Sequence, residues 1–259
     1  MDSDDTLLIL VHDAWHGAWE WDGVVNRLTE RGWTAIAFDL PGHGALYQAE
    51  SAASVTLDVY AGAVAAFVRN QPAPNVILVA HGTAGPICQR ACELLQTQPA
   101  SAKLAGLIFV SAFVLQDGEA MAAAFPLEMA EVFQQLAASR SDHSLDMRDL
   151  ADYWRFNIMS DDVRRADEVL ARLNPEPLAP LFEKINLKTF FEINPPCAYL
   201  SFNEDNLLPP GSFYPRMASK LGQYRHASVN TGHEGPLTKP REVAESLIFL
   251  ARSAFGPNA

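Results

Sequence analysis

Apolar runs of strand length alternate with helical patterns along the first 114 residues, and few folds accept that rhythm. TLLILVH (6–12), TAIAFDL (34–40), NVILVAH (75–81) and LAGLIFVSAFV (104–114) read as strands. WDGVVNRLTERG (21–32), SVTLDVYAGAVAAFVRN (54–70, opening on a capping Ser or Thr) and GPICQRACELLQ carry helical spacing between them. Strands this apolar have no polar face to give to water, so the sheet must be covered on both sides. The spacing therefore predicts an α/β fold with a mostly parallel central sheet and helices on both faces.

After Val114 the rhythm breaks. From 115 to 193 only helical segments such as EMAEVFQQLAASR and DDVRRADEVLARL appear, separated by the polar SRSDHSLDMRD. Strands resume with CAYLSFN (197–203) and YRHASVN (224–230), and REVAESLIFLARSAF closes the chain as a helix. The division expected is a core of residues 1–114 and 194–259 with an all-helical cap, 115–193, inserted between late strands. Within the cap, Tyr153, Trp154 and Phe156 have two readings, lining a pocket below or packing the cap itself, and Trp154 is the one of the three expected to bind substrate.

A chain of 259 residues with 49% hydrophobic content is long enough for a single well-covered α/β core. Its net charge of −12 argues against nucleic acid and anionic membranes as partners. Cys88, Cys92 and Cys197 form no metal-type pattern. Cys88 and Cys92, one helical turn apart, are expected on a buried face, and the odd count fits a reducing compartment. The acidic start and short first apolar run do not make a signal segment or a membrane span, so a cytoplasmic protein is expected.

The stretches VHDAWHGAWEWDGVVNRL, FDLPGHG, VAHGTAG and NTGHEGPLTKPREVAESL together resemble the α/β-hydrolase superfamily, nearest to its small esterases and hydroxynitrile lyases. The likeness covers nearly the whole chain and is vague only in the cap. It implies a nucleophile at the centre of Ala80-His81-Gly82-Thr83-Ala84, an acid at Asp205 in SFNEDNLLPP and a histidine at His233 in NTGHEG, in the family's chain order. Glu204 is the alternative acid. His12, His16, His43 and His81 have structural readings. His12 and His16 straddle a strand end and a loop with no obvious third ligand, so no metal site is expected. No cofactor is expected either.

Two positions depart from the pattern. Gly82 stands where the family carries its serine, and with no side-chain atom it cannot form an acyl-enzyme. Thr83 is expected to offer only its backbone N–H, with its side chain turned elsewhere. Ser111 ends the fourth strand near the pocket but without an elbow to present it. The family motif begins His-Gly, whereas this chain has His12-Asp13. The resemblance implies that Asp13 points into the pocket and that Ala14 supplies an oxyanion N–H. A carboxylate there would offset much of what such donors give, ~3–4 kcal/mol each. Asp13 also has a plainer reading, as a loop residue bonding its own backbone.

Three hypotheses follow for the function. The leading one is a cofactor-free enzyme in which His233 and Asp205 form an acid–base pair and the space left at Gly82 holds water or substrate. It would act on a small, largely apolar carbonyl or hydroxy compound by elimination, retro-aldol cleavage, decarboxylation, cyclisation or water-driven hydrolysis. The second is a serine esterase with its nucleophile substituted at position 82. The third is a non-catalytic, ligand-binding pseudohydrolase. A small molecule is the expected partner in all three, and a homodimer stays open.

Overall fold

The computed structural model of the chain describes residues 5–48, 54–97 and 102–255; the acidic residues 1–4 lie outside it. Six strands form one sheet: β1 (Thr6–Val11), β2 (Thr34–Ala37), β3 (Asn75–His81), β4 (Lys103–Val110), β7 (Cys197–Phe202) and β8 (Arg225–Val229). Their order is β2-β1-β3-β4-β7-β8, and every pairing in it is parallel. Two further strands, β5 (Ser144–Leu145) and β6 (Glu176–Pro177), pair with each other inside the inserted segment.

Alternate strand residues feed two cores. Leu7, Ile9, Val11, Leu78 and Phe109 pack with Tyr60, Val64 and Cys88 on one face, under α2 (Leu57–Arg69) and α3 (Ala84–Thr97). Leu8, Leu10, Val79 and Ile108 pack on the other with Val24, Leu28 and Leu247, under α1 (Asp22–Glu30) and the C-terminal helix Pro240–Phe255. Thr56 caps α2 by accepting the Val59 N–H. Cys88, Cys92 and Cys197 are all buried and free, in the same core.

Two strands end well short of their apolar runs. β2 stops at Ala37, and β4 stops at Val110 because Ser111 takes a left-handed φ of 35°. Phe113, two residues further on, lines the site. No described helix is long and apolar enough to cross a membrane.

The inserted segment needs one correction, since it is not all helical. β5 and β6 pair Ser144 with Pro177 and Leu145 with Glu176. A two-residue ladder containing proline is too short to leave a period-two signal. From Trp154 to Ile158 the backbone widens into a π-helical turn, closed by the Met159 N–H donating to the Trp154 carbonyl at 2.8 Å. The cap also contains α4 (Leu127–Ala138), which brings Phe133 over the sheet's C-terminal edge.

Gly85, in the first turn of α3, packs flush against the chain leaving β4. A methyl group there would sit 2.0 Å from the Phe113 carbonyl oxygen. Gly85→Ala should therefore lower stability by about 1–3 kcal/mol, read as an earlier urea midpoint with unchanged slope.

Candidate active site

The site forms where β1, β3, β7 and β8 release their chains at the same end of the sheet. After β1, His12 fixes the loop: its Nδ1 donates to the Asp13 carbonyl at 2.8 Å, and its Nε2 accepts the Leu40 N–H at 3.1 Å. Burial, with the neighbouring His43, pushes the His12 imidazole well below its ordinary pKa, consistent with a neutral ring that both donates and accepts. Trp15 has a left-handed φ of 66°. The cap holds it there through the Glu176 carboxylate on its backbone N–H (2.8 Å) and the Leu145 carbonyl on its indole N–H (2.9 Å).

β3 runs into α3 through Gly82, whose φ is +51°. A Cβ on residue 82 would lie 2.2 Å from the Asp13 carboxylate. The space expected for water or substrate is therefore filled by the chain itself. Asp13 Oδ1 accepts the Thr83 N–H at 2.6 Å and the Thr83 hydroxyl at 2.8 Å. The Ala14 N–H donates in turn to the Thr83 hydroxyl oxygen at 3.0 Å. Thr83 thus departs from expectation, with its side chain turned into the site because two partners there accept and donate to it. The plainer reading of Asp13 is also corrected: its carboxylate bonds across the site instead of to its own loop.

The other Asp13 oxygen, Oδ2, lies 2.9 Å from His233 Nε2, and His233 Nδ1 lies 2.8 Å from Asp205 Oδ2. Asp205 is saturated, accepting the backbone N–H groups of Leu207 and Leu208 and the Ser111 hydroxyl at 2.6 Å. Ser111, read as a bystander, thus binds the acid, and its left-handed backbone aims it there. Glu204 is exposed and takes no part. Burial alone would push the His233 imidazole down, but the Asp205 and Asp13 carboxylates outweigh it and hold the ring well above its usual pKa. Burial likewise works to raise Asp13 and Asp205, yet the hydrogen bonds and charge of His233 keep both below the usual carboxylate range. His233 is then an imidazolium at neutral pH, donating to a carboxylate at each nitrogen.

Behind this trio lies a second buried network, in which His16 and His81 take the structural part expected of them and Glu20 and Glu234 are their unforeseen partners. Glu20 accepts the Asp13 N–H at 2.9 Å and bonds His81 Nδ1, while the His81 ring stacks on His233 at 4.8 Å. His16 Nε2 sits 3.2 Å from Glu234. Burial would lower His16, but Glu234 and Glu20 raise it to about 10. Two trios, Asp13–His81–His233 and His16–Glu20–Glu234, hold ligand-type atoms within 4.8 Å of one another. Each already pairs imidazole with carboxylate, so we assign neither to an ion. His12 belongs to neither trio.

Two chambers flank the centre, and Asp13 and Thr83 line both. One is walled by Phe113, Phe125, Phe133, Tyr153 and Leu208, with His233 at its floor. The other is lined by Leu40, Ile87 and Met121 with His43, Tyr60 and Glu176. Trp154 reaches neither. It is fully buried, its indole N–H donates to the Ala166 carbonyl at 2.8 Å, and it packs against His16, which corrects its expected place on the pocket wall. Phe156 is exposed, so of the three cap aromatics only Tyr153 faces a chamber.

Residues 8–246 match the model of the alpha/beta hydrolase family. The chain belongs to that family. It is 25% identical to the carbendazim hydrolyzing esterase of Nocardioides sp. (strain SG-4G), over 93% of this chain and 98% of that protein. It is 24% identical to putative methylesterase 11, chloroplastic, of Arabidopsis thaliana over 97% of its own length, and 34% identical to putative methylesterase 12 over 43%. The chain spans 65% and 30% of those two plant proteins. Among solved structures, an extracellular alpha/beta-hydrolase from a Paenibacillus species superposes with a TM-score of 0.85 at 26% identity, covering 96% of this chain and all of that one.

Two outcomes test this geometry. Gly82→Ser should lose about 1–3 kcal/mol by urea unfolding, because the new side chain and the Asp13 carboxylate need the same space; the same substitution should cost less when made in an Asp13→Gly background than in the wild type. The His16 ion pair is at full strength below pH ~6.5 and is lost as pH rises through about 10. Stability should therefore fall between pH 7 and pH 10, and fall less in His16→Gln.

Proposed function

We propose that this family member is an enzyme running proton transfer through Asp13, His233 and Asp205, with no covalent attack from the turn at Gly82. Its substrate is a small, largely apolar carbonyl or hydroxy compound. One observation carries the reading: the Asp13 carboxylate occupies the volume that a nucleophilic side chain at position 82 would need. It also takes up the Thr83 N–H, one of two donors suited to a tetrahedral oxyanion, while the second, on Ala14, is spent on the Thr83 hydroxyl. With both donors engaged, acyl transfer through an oxyanion loses the stabilisation on which it depends.

The trio instead offers a base and an acid side by side. Asp13 Oδ2 takes a proton from a substrate hydroxyl or an acidic C–H, and the His233 imidazolium delivers one to the departing or developing oxygen. Asp205 holds the ring in place and balances its charge, and Ser111 fixes Asp205. Such a pair suits retro-aldol cleavage, elimination or cyclisation of a neutral compound, each needing one proton removed and one supplied. Water-driven hydrolysis is the second reading, favoured by the esterase relatives, with Asp13 as the base toward water. Neither reading calls on a cofactor, and we place the protein in the cytoplasm on its acidic composition and three free cysteines.

The test is a panel of neutral hydroxy ketones, cyanohydrins and activated esters. Whichever compound the wild type turns over should slow by about 100- to 10,000-fold in His233→Gln and in Asp13→Asn, with folding checked by circular dichroism. Full retention of rate in either variant ends the acid–base reading. Gly82→Ser should neither gain ester turnover nor label with a fluorophosphonate, and labelling would favour a substituted serine esterase. Because the imidazolium is held well above the ordinary histidine range, the rate should persist above pH 6.5 and fall only as pH rises through that raised value.

A further inference from the structure

One segment of the cap touches both loops that carry His233 and Asp205. The Trp154 indole N–H donates to the Ala166 carbonyl at 2.8 Å, which closes residues 155–165 into a loop fastened at its base. Ile158 and Met159 anchor that loop in the apolar core. Ser160 and Asp161 come next in the chain.

Asp161 grips the His233 loop through a single oxygen. Its Oδ2 accepts the Gly232 N–H at 3.0 Å, and the hydroxyls of Thr231 and Thr238 each lie 2.8 Å from it. Thr231 and Gly232 immediately precede His233, and Thr238 ends the short helix Gly235–Thr238 that follows it. The loop is thus held on both sides of the residue that bears the ring. Gly232 and His233 are buried, so the Gly232 N–H has no water to turn to if Asp161 leaves. The fit is close, since a methyl group on residue 232 would stand 2.9 Å from Asp161 Oδ1. One residue earlier, the Ser160 hydroxyl oxygen accepts the Asn206 side-chain N–H at 3.1 Å, next in the chain to Asp205.

We infer that Asp161 is a positioning residue for His233, holding from the cap the loop that carries its ring between Asp13 and Asp205. The two ring bonds, at 2.8 and 2.9 Å, leave little slack, and a main-chain shift of about 1 Å takes either beyond bonding distance. The inference rests on the proposed function only in making His233 the group worth holding. The way the bonds are shared makes a sharp demand. All three fall on Oδ2, while Oδ1 is buried with no hydrogen-bond partner among the described residues. The role therefore calls for one acceptor oxygen and not for a carboxylate. Asparagine, with its carbonyl oxygen in the Oδ2 place, keeps that oxygen; alanine does not.

Hydrogen exchange of the imidazole N–H protons, followed by NMR on isotope-labelled protein at neutral pH, tests the assignment. The His233 protons are those lost in His233→Gln and shifted in Asp13→Asn. Asp161→Ala should speed their exchange by about tenfold or more, while the His12 Nδ1 proton, held by its own loop, stays within about twofold of the wild type. Asp161→Asn should keep His233 exchange within about twofold. Glu183→Ala, which removes a different bond between cap and core, the one from the Leu57 N–H, should do the same. If Asp161→Ala does not fold, Thr238→Val, which deletes one of the three bonds, should speed exchange by about threefold or more.

The assignment is overturned if His233 exchange is unchanged in Asp161→Ala, or in Thr238→Val where alanine does not fold. It is also overturned if Asp161→Asn speeds exchange as alanine does, or if Glu183→Ala has as large an effect. Equal acceleration of the His12 proton, or no His233 ring proton visible in the wild type, counts against it in the same way. Because exchange reads placement and not turnover, a rate retained in His233→Gln overturns the acid–base reading alone. Unchanged exchange in Asp161→Ala overturns this assignment alone.

Discussion

An imidazolium clasped between two buried carboxylates organises this molecule. His233, 1% exposed, has Asp205 on one nitrogen and Asp13 on the other. None of the three could be buried alone, because an isolated charge in so dry a place would cost several kcal/mol. Together they carry one positive and two negative charges, and the remaining excess is spread over the N–H groups of Thr83, Leu207 and Leu208 and the hydroxyls of Thr83 and Ser111. Removing any one member leaves the other two uncompensated, so the arrangement is held as a unit.

That unit explains the local backbone. Gly82 has a positive φ, which favours glycine, but the closer constraint is spatial, since the carboxylate from the facing loop stands where any side chain would go. The Asp13 loop is in turn held by Glu20 from beneath and by Glu176 through Trp15. Two glutamates far apart in sequence therefore set the position of one aspartate, and the His16–Glu234 pair extends the buried charge network behind them.

Much of the fold could be read from the chain because it depends on periodicity. Strand-length runs alternating with helices, with the central strands buried throughout, leave little choice beyond a parallel sheet. The short ladder β5–β6 could not be read, since two residues carry no period. At the site, the candidates Asp13, Gly82, Thr83, Ala14, Asp205 and His233 lie together, because strand ends in such a sheet converge. The sequence could not show which volume the Asp13 side chain fills, nor that Thr83 turns inward, as both depend on tertiary approach. Trp154 looked like a pocket residue by its aromatic neighbours, yet its indole N–H needed a buried acceptor and found one at Ala166. Glu20 and Glu176 were invisible because a lone glutamate in a loop or cap carries no pattern.

The hold on Trp15 joins the cap to the chemistry. One residue, two positions beyond Asp13 and in a strained backbone conformation, is tied at its main chain to β6 and at its indole to β5. The small ribbon is thus a latch as well as a roof: it cannot lift without unpairing two buried N–H groups and freeing a residue whose φ is otherwise unfavourable. Any displacement of that ribbon would therefore also release the loop that sets the Asp13 carboxylate.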